Sequence, residues 1–281
     1  MIQDMLSDTH CHLFSYYKKE ELPTILEKIK TELCFVQDIG TKPDDFPARF
    51  SLAKELLSEI PSFYHFSLGI WPDAQYIACI DHSLAVLEEH IVQALNQNLK
   101  IALGECGLDR YWNGNTVAHK EKGGTNDIAG EELLFERQLR LAKKYSLPVI
   151  VHSRDAFADT LKIIDTVGYN NGVIHCFAYG KEEANAFLER GWHISFSGNC
   201  TYPTTKAKRA AMSKLVESIP DEKLLLETDA PYLAPTPYRG SQNTPLLVKY
   251  VYDCVASMRA TDIQSLSHLV YENAIKLFGT T

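Results

Sequence analysis

Two histidines lie two positions apart in the segment SDTHCHL near the start of the chain. Side chains alternate between the two faces of a β-strand, so His10 and His12 point to the same face. Imidazole nitrogens are good ligands for zinc and other borderline divalent cations, and a same-face pair at a strand end indicates half of a coordination shell. Asp8 shares this face one step deeper, as a further ligand or as an outer group that fixes a histidine tautomer, and the spacing does not separate these two roles.

Four more polar residues follow short apolar runs elsewhere in the chain. They are Glu105 in ALGECGLD, His152 in VIVHSRD, His175 in VIHCF and Asp229 in LLETDAP. Polar groups at the ends of buried strands are costly unless they are paired or bound to a metal. Four histidines and two carboxylates overfill one tetrahedral ion, and they suit two divalent ions about 3.5 to 4 Å apart with a bridging carboxylate. Glu105 is the predicted bridge.

Two such ions would activate a water molecule and stabilise the charge that develops in a displacement, which predicts a hydrolase. We expect Asp229 to ligate one ion and to orient or deprotonate the attacking water. The alternative for Asp229 is a helix N-cap, because Asp before Ala-Pro is also a common helix start. Arg154 and Arg239 are the predicted anion clamps, since a planar guanidinium binds phosphate through two hydrogen bonds, although either could instead form a structural ion pair.

Eight apolar runs of strand length alternate with helical patterns, and they predict the elements that position these residues. The runs are MLSDTHCH, CFVQDIG, HFSLGI, KIALGECGLD, PVIVHSR, GVIHCF, HISFSG and LLLETDAP. Helical spacing of apolar residues recurs between them, for example at 84–97 and 131–145. The pattern predicts one domain over residues 1–281, and it favours a single (β/α)8 TIM barrel over an open doubly wound sheet, because a closed barrel has no edge strands.

One stretch departs from this alternation. Residues 112–130, WNGNTVAHKEKGGTNDIAG, have no apolar period and are rich in Gly, Asn and Lys. They predict a long irregular insertion at the rim after the fourth strand, where active sites of barrels are built. Such a loop could cover or select the substrate, or it could have no role.

The composition excludes several classes of protein. The formal net charge is −8, from 28 Lys and Arg against 36 Asp and Glu, so nothing draws the whole protein to nucleic acid or to an anionic membrane, and a phosphate substrate must be held locally. Seven scattered cysteines without a CxxC pair are typical of reduced intracellular thiols. The start MIQDMLSDTHCH is unlike a signal peptide, and no apolar run is long enough to span a bilayer. We therefore predict a cytoplasmic protein with no membrane association and no obligate protein partner.

Several segments together resemble the signature blocks of TatD-type deoxyribonucleases. They are SDTHCHL, GECGLDRYW, PVIVHSRDA, IHCFAYG, LLLETDAPYLAP, RGSQNTP and ENAIKLF. The resemblance covers most of the chain, and it implies a metal-dependent nuclease of the amidohydrolase superfamily. The mixed imidazole and carboxylate donors leave the two divalent ions open among Mg, Mn and Zn. It places on the family's ligand positions His10, His12, Glu105, His152, His175 and Asp229.

Three departures from the family pattern bear on the substrate. The segment LGIWPD at 68–73 has Trp71 where the family usually has a histidine near the metals and the substrate phosphate. That change affects catalytic efficiency or substrate preference, and Trp71, which could stack on a base, or Asp73 could contact the substrate instead. The insertion at 112–130 and Asn-Thr-Pro at 243–245, where Asn-Glu-Pro is usual, remove none of the predicted ligands.

Three functions compete. The first is an exonucleolytic deoxyribonuclease on single strands, because a metal-rimmed pocket on an acidic protein suits a strand end better than a long duplex footprint. The second is hydrolysis of a small cyclic amide, lactone or ester, or of an ester on RNA. Many relatives of that kind bridge their metals with a modified lysine on strand four, whereas here Glu105 occupies that strand end and Lys100 the opposite one. The third is a binding protein without activity, which only Trp71 supports.

Overall fold

The computed structural model describes residues 5–114 and 124–279, and its core is a sheet of eight strands in which each strand runs parallel to the next. Strand order in space follows order in the chain. The strands are β1 (Ser7–Cys11), β2 (Phe35–Asp38), β3 (Tyr64–Leu68), β4 (Ile101–Asp109), β5 (Val149–Arg154), β6 (Gly172–Ile174), β7 (His193–Phe196) and β8 (Leu224–Leu226). Seven lie within a predicted run, and β3 begins one residue before its run, so the predicted strands are confirmed.

Helices follow the strands and cover the outside of the sheet. Within the described residues they are α1 (Leu13–Tyr16), α2 (Leu22–Glu32), α3 (Phe46–Leu57), α4 (Ala74–Ile77), α5 (Ile80–Asn96), α6 (Ile128–Tyr145), α7 (Phe157–Val167), α8 (Lys181–Leu188), α9 (Lys206–Ser218), α10 (Val248–Arg259) and α11 (Ile263–Phe278). Short 3-10 turns precede or follow several of them. None of the described helices has the length and apolarity needed to cross a bilayer.

The sheet closes on itself where β1 meets the segment after β8. The backbone N–H of Asp229 donates to the His10 carbonyl at 2.9 Å, and the N–H of His12 donates to the Ala230 carbonyl at 2.8 Å. Together with the alternating helices, this seam makes the structure a (β/α)8 TIM barrel, which confirms the predicted fold class. The carboxyl ends of all eight strands therefore meet at one mouth.

Asp8 binds the two sides of this seam together. The Thr228 N–H donates to Asp8 Oδ1 at 2.9 Å, and the Thr228 hydroxyl donates to Oδ2 at 2.5 Å. The His10 N–H also donates to Oδ1, at 3.2 Å. Burial raises the pKa of Asp8 to about 8, although these hydrogen bonds act in the opposite direction. The carboxylate thus bonds to backbone and hydroxyl groups rather than to a histidine ring.

The predicted insertion after β4 ends earlier than expected. Residues 128–130 were assigned to it from composition, but Asp127 accepts a hydrogen bond from the Gly130 N–H at 2.9 Å and caps α6, which begins at Ile128. Asp is a favoured N-cap residue because its side chain satisfies a free N–H in the first turn. That part of the prediction is wrong, and residues 115–123 of the insertion lie outside the described residues.

Candidate metal centre

Glu105 lies in the middle of β4, close to two glycines that let this strand approach β5 closely. Gly104 and Gly107 have φ angles of 148° and 145°. A Cβ atom on Gly107 would lie 1.9 Å from the His152 carbonyl oxygen, and one on Gly104 would lie 2.7 Å from the Ile150 Cβ. Only glycine permits such contact. The close approach brings a Glu105 oxygen within 2.9 Å of His152 Nδ1.

The two oxygens of Glu105 face two different pairs of histidines. Oε2 lies 3.5 Å from His10 Nε2 and 3.6 Å from His12 Nε2. Oε1 lies 2.9 Å from His152 Nδ1 and 3.1 Å from His175 Nε2. Each pair forms with Glu105 a compact group of potential ligand atoms. This is the arrangement in which one carboxylate can bridge two cations.

Asp229 joins the first of these groups. Its Oδ1 lies 3.6 Å from Nε2 of His10 and 3.6 Å from Nε2 of His12. The backbone of Asp229 is left-handed, with φ at 58°, a conformation that Asp adopts more readily than most residues. A turn follows, in which the Tyr232 N–H donates to the Asp229 carbonyl at 2.9 Å. Because no helix begins here, the N-cap alternative is wrong, and the side chain borders a cavity instead.

The donor atoms suit divalent cations. Nε2 of His10 and Nε2 of His12 lie 3.3 Å apart, and both rings are buried. Imidazole nitrogens and carboxylate oxygens crowded in this way form a ligand set for zinc, manganese and related ions. Burial and the nearby His175 lower the pKa of His10 to about 4, which keeps its ring neutral, the form that binds a metal.

Two buried carboxylates that are not among the residues predicted from the sequence lie behind two of the histidine rings. Asp109 Oδ2 lies 2.9 Å from His152 Nε2, and Glu227 Oε1 lies 3.3 Å from His175 Nδ1. Burial opposes protonation of His152, but its contacts with Asp109 and Glu105 raise its pKa to about 9. A carboxylate on the far nitrogen fixes the tautomer and leaves the near nitrogen free to bind a cation. Both residues lie an even number of positions from a predicted ligand, which is the signal that could have identified them.

Replacing Glu227 with alanine is expected to weaken metal binding by roughly 10- to 100-fold, as the loss of an outer-shell partner usually does. The substitution removes the partner of His175 Nδ1, and it also removes the acceptor of the Cys176 N–H, which donates to Glu227 Oε1 at 2.7 Å. Glu227→Gln keeps an accepting oxygen and should retain most of the affinity. Metal content after dialysis, measured by mass spectrometry, distinguishes the variants, and equal losses in both would argue against a hydrogen-bonding role.

A cavity of about 730 Å³ opens above the histidines. Trp71 and Asp73, two of the predicted substrate contacts, line it. The Trp71 ring centroid lies 6.0 Å from that of His152, with the rings nearly perpendicular, and Asp73 caps α4 with its side chain. Trp112, at the start of the predicted insertion, lines the same cavity. The rim segments after β3 and β4 therefore form one wall of the candidate site.

The two predicted anion clamps lie at different distances from this cavity. Arg154 lines it, with the guanidinium carbon 3.8 Å from the Tyr111 ring centroid. Arg239 is not among the lining residues, and its guanidinium carbon lies 4.5 Å from the Tyr202 ring centroid. Within the described residues, both guanidinium groups thus stack on tyrosines rather than pairing with carboxylates. Stacking leaves the hydrogen-bond donors of arginine available to a ligand.

Comparison with known proteins agrees with this geometry. The family model described as TatD related DNase matches residues 7–279. An uncharacterized metal-dependent hydrolase of Bacillus subtilis, YabD, is 32% identical over 277 residues, which cover 98% of this chain and 99% of that protein. A 3'-5' ssDNA/RNA exonuclease TatD of Citrobacter rodentium is 36% identical over 187 residues, 64% of this chain and 66% of that protein. The crystal structure of a TatD homolog of Escherichia coli, YJJV, matches with a TM-score of 0.78 and 25% identity, over 98% of each chain.

Proposed function

The chain belongs to the TatD-related DNase family of metal-dependent hydrolases, and we propose that it is an exonuclease that hydrolyses phosphodiester bonds at the ends of single-stranded nucleic acid. The observation that carries the proposal is the orientation of Glu105, with one oxygen toward each pair of histidines. Dinuclear sites with a bridging carboxylate suit displacement at phosphorus. The relative from Citrobacter rodentium is named for activity on single-stranded DNA and RNA, which supports this substrate class.

We propose that the site holds two divalent ions, Mg, Mn or Zn. When bound, two such ions lower the pKa of a water molecule and stabilise the negative charge of the phosphate under attack. The residues proposed to hold them are His10, His12 and Asp229 for the first ion, His152 and His175 for the second, and Glu105 for both.

Side chains of this protein are proposed to accept the proton of the attacking water and to bind the substrate phosphates. Asp229 borders the cavity with 13% of its side chain exposed, and from there it can accept the proton of the attacking water. Glu105 also lines the cavity, but its two oxygens face the histidine pairs, so we assign it the bridging role and not that of the base. Arg154 is exposed at the rim, where its guanidinium can bind a phosphate through two hydrogen bonds. We propose that Arg239 contacts the nucleic acid farther from the cleaved end, because it lies outside the cavity wall.

We propose that Trp71 stacks on the base next to the scissile phosphate. Asp73 lines the same wall of the cavity and is proposed to contact the substrate there. Stacking on an aromatic side chain contributes about 1 to 3 kcal/mol per base, so Trp71→Ala should raise KM for a trinucleotide by roughly 5- to 150-fold. Trp71→Phe keeps a ring and should raise KM much less. Steady-state kinetics on a defined trinucleotide measure both variants, and a fall in kcat with unchanged KM would contradict the stacking role.

The position of Lys100 argues against the cyclic amide alternative. Lys100 precedes β4, at the opposite end of the strand from the metal centre, and its ammonium donates to the Gly279 carbonyl. A lysine in that place cannot bridge metals at the mouth of the barrel. We propose that Glu105 takes the bridging position instead, as a carboxylate that needs no modification.

The proposed activity can be tested on 12-nucleotide DNA and RNA strands labelled at the 5' end. With Mg²⁺, Mn²⁺ or Zn²⁺ present, we expect a ladder of progressively shorter labelled products and release of mononucleotides, with no products in the presence of a chelator. A cyclic amide, a lactone and a carboxylic ester serve as comparison substrates. An enzyme that hydrolysed one of these while leaving both strands intact would overturn the proposal in favour of the alternative.

A further inference from the structure

Acidic residues are missing from two stretches of this acidic chain. Residues 191–216 and 230–252 contain no Asp or Glu. Their cations are Lys206, Lys208, Arg209, Lys214, Arg239 and Lys249. Outside these two segments, the chain contains the other 22 of the 28 Lys and Arg residues and all 36 Asp and Glu residues. Positive charge is thus concentrated in two segments of a protein whose net charge is −8.

The fold joins these two segments beside the mouth of the barrel. The Tyr202 hydroxyl donates to the Ala234 carbonyl at 3.0 Å, and the Thr236 N–H donates to the Thr201 hydroxyl at 2.9 Å. Arg239 lies across the junction, 4.5 Å from the Tyr202 ring centroid. We call the surface formed by residues 202–209 and 236–250 the basic ledge. It is continuous with the candidate site, because neighbouring residues 199, 232 and 233 line the cavity.

The cations of the basic ledge lie at the less favourable ends of their helices. Lys206, Lys208 and Arg209 occupy the first turn of α9, and Lys249 occupies the first turn of α10, with no acidic residue in either turn. The N-terminal end of a helix carries partial positive charge, so cations there are repelled. Helices that follow the strands of a barrel begin at its mouth. Helix stability therefore does not account for these cations, whereas their position beside the mouth of the barrel is suited to an anionic ligand.

Exposed and partly exposed aromatic rings lie near these cations. Tyr238 is 42% exposed, and its hydroxyl lies 3.0 Å from that of Tyr250. The Lys249 ammonium lies 5.4 Å from the Tyr250 ring centroid. Cations for phosphates combined with ring faces for bases are the chemistry by which proteins bind single-stranded nucleic acid without sequence preference.

On the opposite side of the mouth, Lys42 and Arg154 line the cavity itself, and the rim around them carries acidic side chains. The rim after β3 and β5 carries the carboxylates of Asp73 and Asp155. Arg110 on that side is neutralised by ion pairs with Glu131, Glu132 and Asp159. A nucleic-acid strand that leaves the cavity is therefore attracted more strongly to the basic ledge than to this rim.

We infer that the basic ledge binds the body of a single-stranded nucleic acid whose end lies in the cavity, an inference that rests on the proposed function. The ledge offers contacts to phosphates and ring faces, which DNA and RNA share. Affinity should therefore increase with strand length beyond the few nucleotides that the cavity holds, for both kinds of strand.

The test compares Lys206→Glu/Arg209→Glu with Lys28→Glu/Lys30→Glu. The control makes the same change in charge at two exposed lysines of α2, in a helix that follows β1. Binding is measured with phosphorothioate-linked strands of 3 and 12 nucleotides at several salt concentrations. For the 12-mer, the ledge variant should bind at least about tenfold more weakly, and its salt slope should fall by about 1.4, for two lost phosphate contacts at about 0.7 each. The 3-mer should bind all three proteins equally.

Any of three results would overturn the inference. The control variant could bind the 12-mer as weakly as the ledge variant does, or the ledge variant could bind the 12-mer as tightly as the wild type. The third is that affinity increases with length for a duplex as much as for a single strand. Hydrolysis of bis(p-nitrophenyl) phosphate, which is too small to reach the ledge, is measured in parallel and should be equal in all three proteins. If the wild-type protein hydrolyses no phosphodiester, the proposed function fails, while the binding measurements still decide whether the ledge binds strands.

Discussion

Replacement of Glu105 with glutamine is expected to lower the rate of single-strand hydrolysis by roughly a thousandfold or more, because the proposed pair of cations would contribute several kcal/mol of transition-state stabilisation. The amide has only one good ligand oxygen, so it cannot serve both histidine pairs as Oε1 and Oε2 of Glu105 do. Steady-state rates with saturating Mn²⁺ and the metal content of the purified protein measure the two parts of this expectation.

The matched control for this variant is Glu227→Gln. It makes the same chemical change at another buried carboxylate of the site, which lies behind His175 rather than between the histidine pairs. Because an amide oxygen can still accept the hydrogen bonds that Glu227 accepts, this control should keep most of its activity and metal. If both glutamine variants lost activity equally, the bridging role of Glu105 would be refuted, since removing any buried negative charge would have the same effect.

Asp229→Asn is expected to lower kcat by about 10²- to 10⁴-fold, the range typical of a general base. The amide keeps an oxygen that can face His10 and His12, but it cannot accept a proton from water at neutral pH. KM for the strand should change little, because the substrate contacts on the cavity wall are intact. Steady-state kinetics over a range of metal concentrations separate loss of the base from loss of metal.

The structure offers a close control for this substitution at Asp155. Both aspartates follow strands of the barrel and have left-handed backbones, with φ of 53° at Asp155 and 58° at Asp229. Asn tolerates this conformation well, so neither change should strain the chain. Asp155 does not line the cavity, and Asp155→Asn should leave kcat unchanged. A comparable fall in kcat in this control would show that the effect at Asp229 comes from rim charge rather than from proton transfer.

The strands could be predicted from the sequence because each buried parallel strand is a short apolar run. Even β6, which is only three residues long at Gly172–Ile174, lies in such a run. The end of the insertion was misplaced because Gly130 suggested a loop by composition, whereas the hydrogen bond from its N–H to Asp127 places it in a helix. Local composition cannot distinguish these cases when a cap decides the boundary.

The gathering of the six candidate ligands at the mouth could also be predicted, because a barrel brings its strand ends together. Their detailed pairing could not. That His152 faces Glu105 with Nδ1 while Nε2 faces Asp109 depends on the contact between β4 and β5 at Gly107. Asp109 lies an even number of positions from Glu105, which is compatible with the same face of the strand, but residue types alone do not say which carboxylate meets which ring.

The packing of loops that are distant in sequence could not be predicted either. Arg239 was predicted as a clamp from its residue type, and the structure places it on Tyr202, a residue 37 positions away in sequence. The acid-free segments that meet there were visible in the sequence, but their adjacency depends on contacts such as that between Tyr202 and Ala234. Charge distribution along a chain becomes informative about binding only when the fold shows which segments meet.

The proposed dinuclear site can be tested by titrating the metal-free protein with Mn²⁺ while the release of mononucleotides from a 12-nucleotide single strand is followed. We expect no release without metal, and a rate that reaches its maximum at two ions per chain, since Glu105 faces two separate pairs of histidines. A maximum at one ion per chain would contradict the dinuclear site, and full activity in the metal-free protein would contradict the metal-dependent mechanism as a whole.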